Sequence, residues 1–112
     1  LLAATDWMLV EMDGKPLPAG LVPPTTLVQY GKAAGFSGCN RYTGPITESA
    51  PGNVKIGELA VTRKACDAAA IEIEAAFLDR MRATTSYAFE AGRLLLVAPR
   101  AGESPRTLLF SR

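Results

Sequence analysis

Eight residues constrain this chain more than any others: Gly35-Phe36-Ser37-Gly38-Cys39-Asn40-Arg41-Tyr42. Gly35 and Gly38 permit backbone that a side chain would forbid. Cys39 is one of only 2 cysteines. Asn40 tolerates left-handed backbone and bonds readily to nearby main chain. Phe36 and Tyr42 add bulk on either side. Extended segments enter and leave the stretch, so it reads as a tight corner in a β-structure, pinned at Cys39.

The second cysteine, Cys66, allows one intramolecular bridge. Bridged, the pair closes a loop of about 28 residues, worth roughly 3–4 kcal/mol in chain entropy. The alternative is two buried free thiols in a reducing compartment. Even pairing in a small domain favours the bridge and an oxidising setting. The chain has no histidine, so the spacing makes neither a zinc site nor an activated thiol. No metal site, cofactor or catalytic residue is assigned. With 112 residues, 48% of them apolar, there is room for one domain with a real core. A net charge of +1 without a basic stripe argues against nucleic acid as a partner. No run of residues is long and apolar enough to span a membrane. Leu1 to Ala4 reads as a linker or precursor remnant, and residues 5–112 as the domain.

Along the chain, Thr5 to Met12 predicts a first strand, buried on much of both faces, with Trp7 as a core plug. Asp13-Gly14 is a turn. Lys15 to Pro24 contains Pro16, Pro18, Pro23 and Pro24 and predicts an ordered loop, neither helix nor central strand. Thr25 to Tyr30 and Ala33 to Ser37 predict a hairpin. Arg41 to Thr47 extends from the corner, with a bulge or edge expected at Gly44-Pro45. Val54 to Ile56 and Leu59 to Thr62 are extended pieces separated by Gly57-Glu58.

Asp67 is a good N-cap for a helix over about residues 67–83. Ala70, Ile71, Ala75, Phe77, Leu78 and Met81 share an apolar arc, with Ile73 at its margin. Glu74 falls inside that arc and needs a partner or a route to water. A rim position or a salt bridge to an arginine such as Arg63 is the ordinary reading, and a catalytic carboxylate the sharper one. Thr85 to Glu90, Arg93 to Ala98 and Arg106 to Ser111 predict a closing meander, with Pro99 to Pro105 as a loop.

Short connections demand antiparallel pairing. About seven or eight strands in so small a chain bury enough surface only by curling, which predicts a small, curled or partly closed antiparallel β-barrel. The helix, inserted before the last three strands, plugs one end or covers an open side. A two-layer α+β sandwich is the alternative.

These residues resemble the META/HslJ-like domain family from Thr5 to Arg112. The likeness rests on Trp7 and Asp13-Gly14, on the corner from Gly35 to Tyr42 with Gly44, and on Ile56-Gly57 with Leu59-Ala60. It rests also on Thr62-Arg63-Lys64-Ala65-Cys66, on Glu74, Phe77 and Leu78 of the helix, and on Tyr87 and Leu94-Leu95-Leu96. Lys64 stands where the family often has an apolar residue, and the proline-rich loop is unusually irregular. The resemblance implies a lipocalin-like barrel and a bacterial envelope setting: periplasmic, secreted, or an outer-membrane lipoprotein anchored upstream of Leu1. It implies roles in stress response, drug tolerance, and motility or secretion, and it carries no catalytic residues.

The resulting expectation is a monomeric, non-enzymatic envelope module that binds a protein or other macromolecule. Candidate contact or structural residues are Gly38, Asn40, Arg41 and Tyr42 with Thr62, Arg63 and Lys64, because the bridge brings these segments together; Glu74 is the helix's polar anchor. Carriage of a small apolar ligand inside the barrel, and inhibition of a lysozyme or protease by the proline-rich loop, are the alternatives.

Overall fold

The computed structural model describes residues 5–112; the expected linker at Leu1 to Ala4 lies outside them. The chain forms β1 (Asp6–Met12), β2 (Lys15–Pro16), β3 (Thr25–Gln29), β4 (Lys32–Phe36), β5 (Arg41–Ala50), β6 (Asn53–Ile56), β7 (Ala60–Val61), α1 (Ala68–Ala83), β8 (Ser86–Glu90), β9 (Arg93–Arg100) and β10 (Glu103–Ser111). Three of the turns between strands share one cause. At Asp13-Gly14, Tyr30-Gly31 and Ala91-Gly92 two successive residues take positive φ, the mirror-image turn whose twist matches that of its flanking strands.

Every strand pairing is antiparallel. The sheet runs β10-β9-β8-β6-β5-β4-β3-β1 and closes through β1 against β10. This is a closed eight-stranded barrel, with β2 on β1 and β7 on β5 as additions. Closure is full where the sequence reading left it partial, and the sandwich alternative falls with it. One seam is thin: β8 meets β6 at a single pair, Asn53 with Ser86.

Alternation decides what fills the barrel. In β1, Trp7 and Leu9 turn inward while Met8 is half exposed, so this strand has one buried face rather than two. Tyr42, Ile46, Val54, Ile56, Leu94, Leu96, Leu108 and Phe110 complete the interior. Phe36 faces outward and is only half-buried, because Ala33 and Gly35 take the inner face of β4. At Gly35 the backbone of Thr25 passes directly over the strand: a Cβ there would overlap the Thr25 carbonyl oxygen. That carbonyl also accepts the Tyr42 hydroxyl at 2.7 Å.

The prolines behave less disruptively than expected. Strand β5 runs straight through Gly44-Pro45, in register with Ala33 and Lys32; its irregularity comes later, between Glu48 and Ala50. Pro45 stands where β5 changes neighbours, between β7 and β6, so its missing N–H disturbs no ladder. Likewise, the expected loop from Pro99 to Pro105 is mostly strand, with the turn confined to Ala101-Gly102 and a bulge between Glu103 and Arg106.

Helix α1 starts at the Asp67 cap, whose carboxylate accepts the Ala70 N–H at 2.9 Å. It packs against β6, β9 and β10, and so lies across one end of the barrel. Phe77, Leu78 and Met81 are buried beneath it, and the Phe77 ring meets Tyr42 and Phe110 edge-on. Ile71 and Ala75, placed in the apolar arc by periodicity, are exposed instead. A helix laid over a barrel mouth buries a narrow stripe, here Ile73, Phe77 and Met81 with Glu74 and Leu78 beside it.

Gly35→Ala should destabilise the domain by about 2–3 kcal/mol or more, since backbone rather than a flexible side chain blocks the new methyl. Urea unfolding monitored by Trp7 fluorescence measures this directly.

Candidate functional site

The corner between β4 and β5 is where sequence reasoning placed the function, and its chemistry centres on Glu74. Gly38 has φ +119, and a Cβ there would meet Ile73 Cγ2 at 2.5 Å, so glycine lets the helix lie directly on the corner. That contact brings the Glu74 carboxylate to the turn. Glu74 Oε1 accepts the Asn40 backbone N–H at 2.7 Å and the Ser37 hydroxyl; Oε2 accepts Asn40 Nδ2 at 3.1 Å. The Ser37 hydroxyl has one proton and two acceptors in reach, Glu74 and the Asn40 carbonyl. The ionised carboxylate is the stronger. The Asn40 carbonyl keeps the Ser37 N–H at 2.8 Å.

Asn40 then reaches the other way. Its Oδ1 accepts the Lys64 N–H at 2.5 Å and the Thr62 hydroxyl at 3.1 Å. A backbone N–H can only donate, which fixes the orientation of this amide. Thr62 Oγ1 accepts the Arg41 N–H at 3.1 Å. Cys39 and Cys66 are bonded, with Cα atoms 6.0 Å apart, so the same two segments are also joined covalently. Corner, strap and helix therefore share one polar node.

Glu74 is not paired with Arg63: its partners are Ser37 and Asn40. Burial pushes its pKa up, but the hydrogen bonds from Ser37, Asn40 and the Cys39 backbone outweigh that, and the net shift is downward. A carboxylate held ionised this way is a poor proton donor near neutrality. Asn40 is buried with every polar group engaged. Tyr42 is buried too, and burial raises its hydroxyl pKa. Neither side chain offers surface. Arg41, Thr62, Arg63 and Lys64 are exposed, and the three cations form no ion pair among the described residues.

Two grooves flank β7. One, of ≈ 400 Å³, lies between β7 and α1, with Leu59, Val61 and Leu78 as apolar lining and Arg63 and Arg82 as its cations. The other, of ≈ 390 Å³, lies over Arg41, Thr43, Ala60 and Thr62. A third groove, of ≈ 470 Å³, separates the Pro18–Leu21 loop from the helix. All three lie outside the barrel. Its core is built from Trp7, Leu9, Tyr42, Phe77, Met81 and Phe110 and their neighbours.

A second anchor escaped the sequence reading. Arg80 Nη2 donates to Asp13 Oδ2 at 2.6 Å, and Asp13 Oδ1 accepts the Thr107 N–H at 3.0 Å. Arg106 reaches Asp79 at 2.5 Å. These contacts tie the far half of α1 to β1 and β10. The Arg80 hydrogen bond, against opposing burial, holds the Asp13 carboxyl below its usual range. Asp13-Gly14 is legible as a turn, but its partner lies 67 residues away.

A closed antiparallel barrel capped by one helix, with a polar corner and external grooves, defines a small β-barrel domain of the lipocalin-like type. The family model described as META domain matches residues 1–112, and the chain belongs to that family. An NMR structure of a protein from Burkholderia xenovorans has 29% identity and TM-score 0.76, covering 99% of this chain and 83% of that one. A second NMR structure has 23% identity and TM-score 0.73, with 98% and 90% coverage. A crystal structure of a DUF4847 family protein from Bacteroides vulgatus has 14% identity and TM-score 0.71, with 99% and 94% coverage. The last two share the fold alone. No curated protein sequence matches the chain. Among the described residues, no helix is long and apolar enough to cross a membrane.

The depressed carboxyls fix the sign of the acid response. Stability that Glu74 and Asp13 contribute is present above their unfolded pKa of about 4 and is lost as pH falls through their lower folded values. Glu74→Gln should cost about 1.5–3 kcal/mol at pH 7, and the gap to wild type should close in acid. Urea titrations between neutral pH and strongly acid pH check this. Replacing both Cys39 and Cys66 by serine should cost about 3–4 kcal/mol, read in the same assay.

Proposed function

We propose that this domain works without catalysis, as a macromolecule-binding module of the bacterial cell envelope in stress response or envelope maintenance. The observation that carries this reading is a pair of cations, Arg41 and Arg63, one in each of the two grooves flanking β7. Both guanidinium groups are exposed and unpaired among the described residues, on chain segments held rigid by the Asn40–Glu74 node and the bridge. Preorganised arginines beside a groove lower the ordering cost of association. The disulfide supports an oxidising compartment, periplasmic or extracellular, and the family resemblance supports an envelope setting.

Inhibition of a hydrolase by the proline-rich loop has less support. Leu17 packs against the core, Pro24 is fully buried, and the Pro24 carbonyl accepts the Leu9 N–H at 2.9 Å. The loop is thereby tied down at both ends.

Tagged domain should recover a specific partner from envelope extract, and Arg41→Ala and Arg63→Ala should each reduce that recovery roughly tenfold. Unchanged recovery with both variants removes these two arginines as the contact surface.

A further inference from the structure

Strand β7 has a used edge and an unused one. On the used edge, Val61 stands opposite Tyr42 and Ala60 opposite Thr43. The Thr62 N–H donates to the Arg41 carbonyl at 3.0 Å. Residues 62 and 60 are therefore the hydrogen-bonded positions of this ladder, and Val61 lies between them. In an antiparallel ladder the residue between two bonded pairs turns its own N–H and C=O away from the partner strand. Those of Val61 point away from β5, and Val61 is among the residues lining the groove shared with α1. Among the described residues no strand takes this N–H and C=O, because β7 pairs only with β5.

The groove is furnished for more than one bond. Leu59, Val61 and Leu78 give it apolar lining, and Arg63 and Arg82 give it charge. Its only carboxylate, Glu74, is committed to Ser37 and Asn40. The site thus offers a main-chain donor and acceptor in strand geometry, a mainly polar surface with Val61 at its edge, and two cations that form no ion pair among the described residues.

We propose that the open edge of β7 takes an extended acidic peptide segment of a partner protein as an added strand. This rests on the macromolecule-binding reading and names its chemistry. Main-chain bonds to Val61 supply register, and flanking carboxylates meet Arg63 and Arg82. Strand addition to an exposed edge is an established mode of peptide recognition. An anionic lipid headgroup would use the arginines but leave the Val61 N–H and C=O unmatched.

The probe is a capped heptapeptide of alternating glutamate and valine, titrated at low salt into ¹⁵N-labelled protein with intact disulfide. The Val61 amide and its neighbours should shift on binding, and the same peptide with lysine for glutamate should not bind. Arg63→Gln with Arg82→Gln should weaken binding roughly tenfold or more. Val61→Pro removes an N–H that no strand uses, a position where an edge strand tolerates proline, and should abolish binding. If that variant does not fold, N-methylation of alternate peptide bonds in the probe asks the same question. Methylation of one set should abolish binding while methylation of the other leaves it intact.

An unmoved Val61 amide overturns the proposal, as does full binding by Val61→Pro or equal tolerance of both methylated peptides. Phosphatidylglycerol vesicles that bind with the same arginine dependence, while the peptide does not, overturn it in favour of a membrane surface. Partner recovery from extract that needs Arg63 but ignores Val61→Pro overturns strand addition and leaves the binding module standing. Recovery indifferent to Arg41 and Arg63 overturns the module reading itself.

Discussion

The Glu74 carboxylate and the Asn40 carboxamide hold this molecule together at its least regular point. One side chain comes from the helix and the other from the corner, and the groups they bond include backbone that no ladder satisfies. A carboxylate with several short donors is one of the few arrangements in which a charge near a core is stabilising. The helix could not settle on Gly38 without a polar partner at Glu74, and the Thr62–Lys64 strap could not lie against the corner without Asn40 Oδ1. The disulfide limits how far these segments separate; the hydrogen bonds determine how they sit.

Around that node the helix is secured in three different ways. The Asp67 cap and the bridge fix its start, Glu74 fixes its middle, and Asp13 with Arg80 fixes its end. Apolar burial by Phe77, Leu78 and Met81 supplies the attraction, but a narrow buried stripe does not specify orientation. The polar contacts do. The node consumes the Glu74 acid and the Asn40 amide and leaves Arg41, Arg63, Lys64 and Arg82 exposed around it.

Much of this could be read from residues, and the misses follow a rule. Cys39 and Cys66, the Asp67 cap and the Asp13-Gly14 turn were legible because each acts on neighbouring backbone or through a forced pairing. Glu74 was conspicuous because it breaks an apolar period. Its partner was not, since Ser37 and Asn40 reach it only after docking. Ile71 and Ala75 were misplaced because periodicity reports which residues share a face, while the width of the buried stripe depends on what the helix covers. Pro45 read as an interruption because sequence does not say which edge of a strand lacks a neighbour. The open side of β7 is hidden for the same reason: strand order is a tertiary fact.

The single-pair contact between β6 and β8 has a dynamic consequence. Around the rest of the cylinder neighbouring strands pair over longer runs; here two main-chain bonds, Val54 N–H to the Thr85 carbonyl and Tyr87 N–H to the Gly52 carbonyl, join the segments. A fluctuation that breaks these few bonds would open the cylinder along this one line and leave the remaining ladders in place, a partial opening cheaper than global unfolding. The barrel is thus a sheet rolled shut with one short zip, and that zip is where it would first come undone.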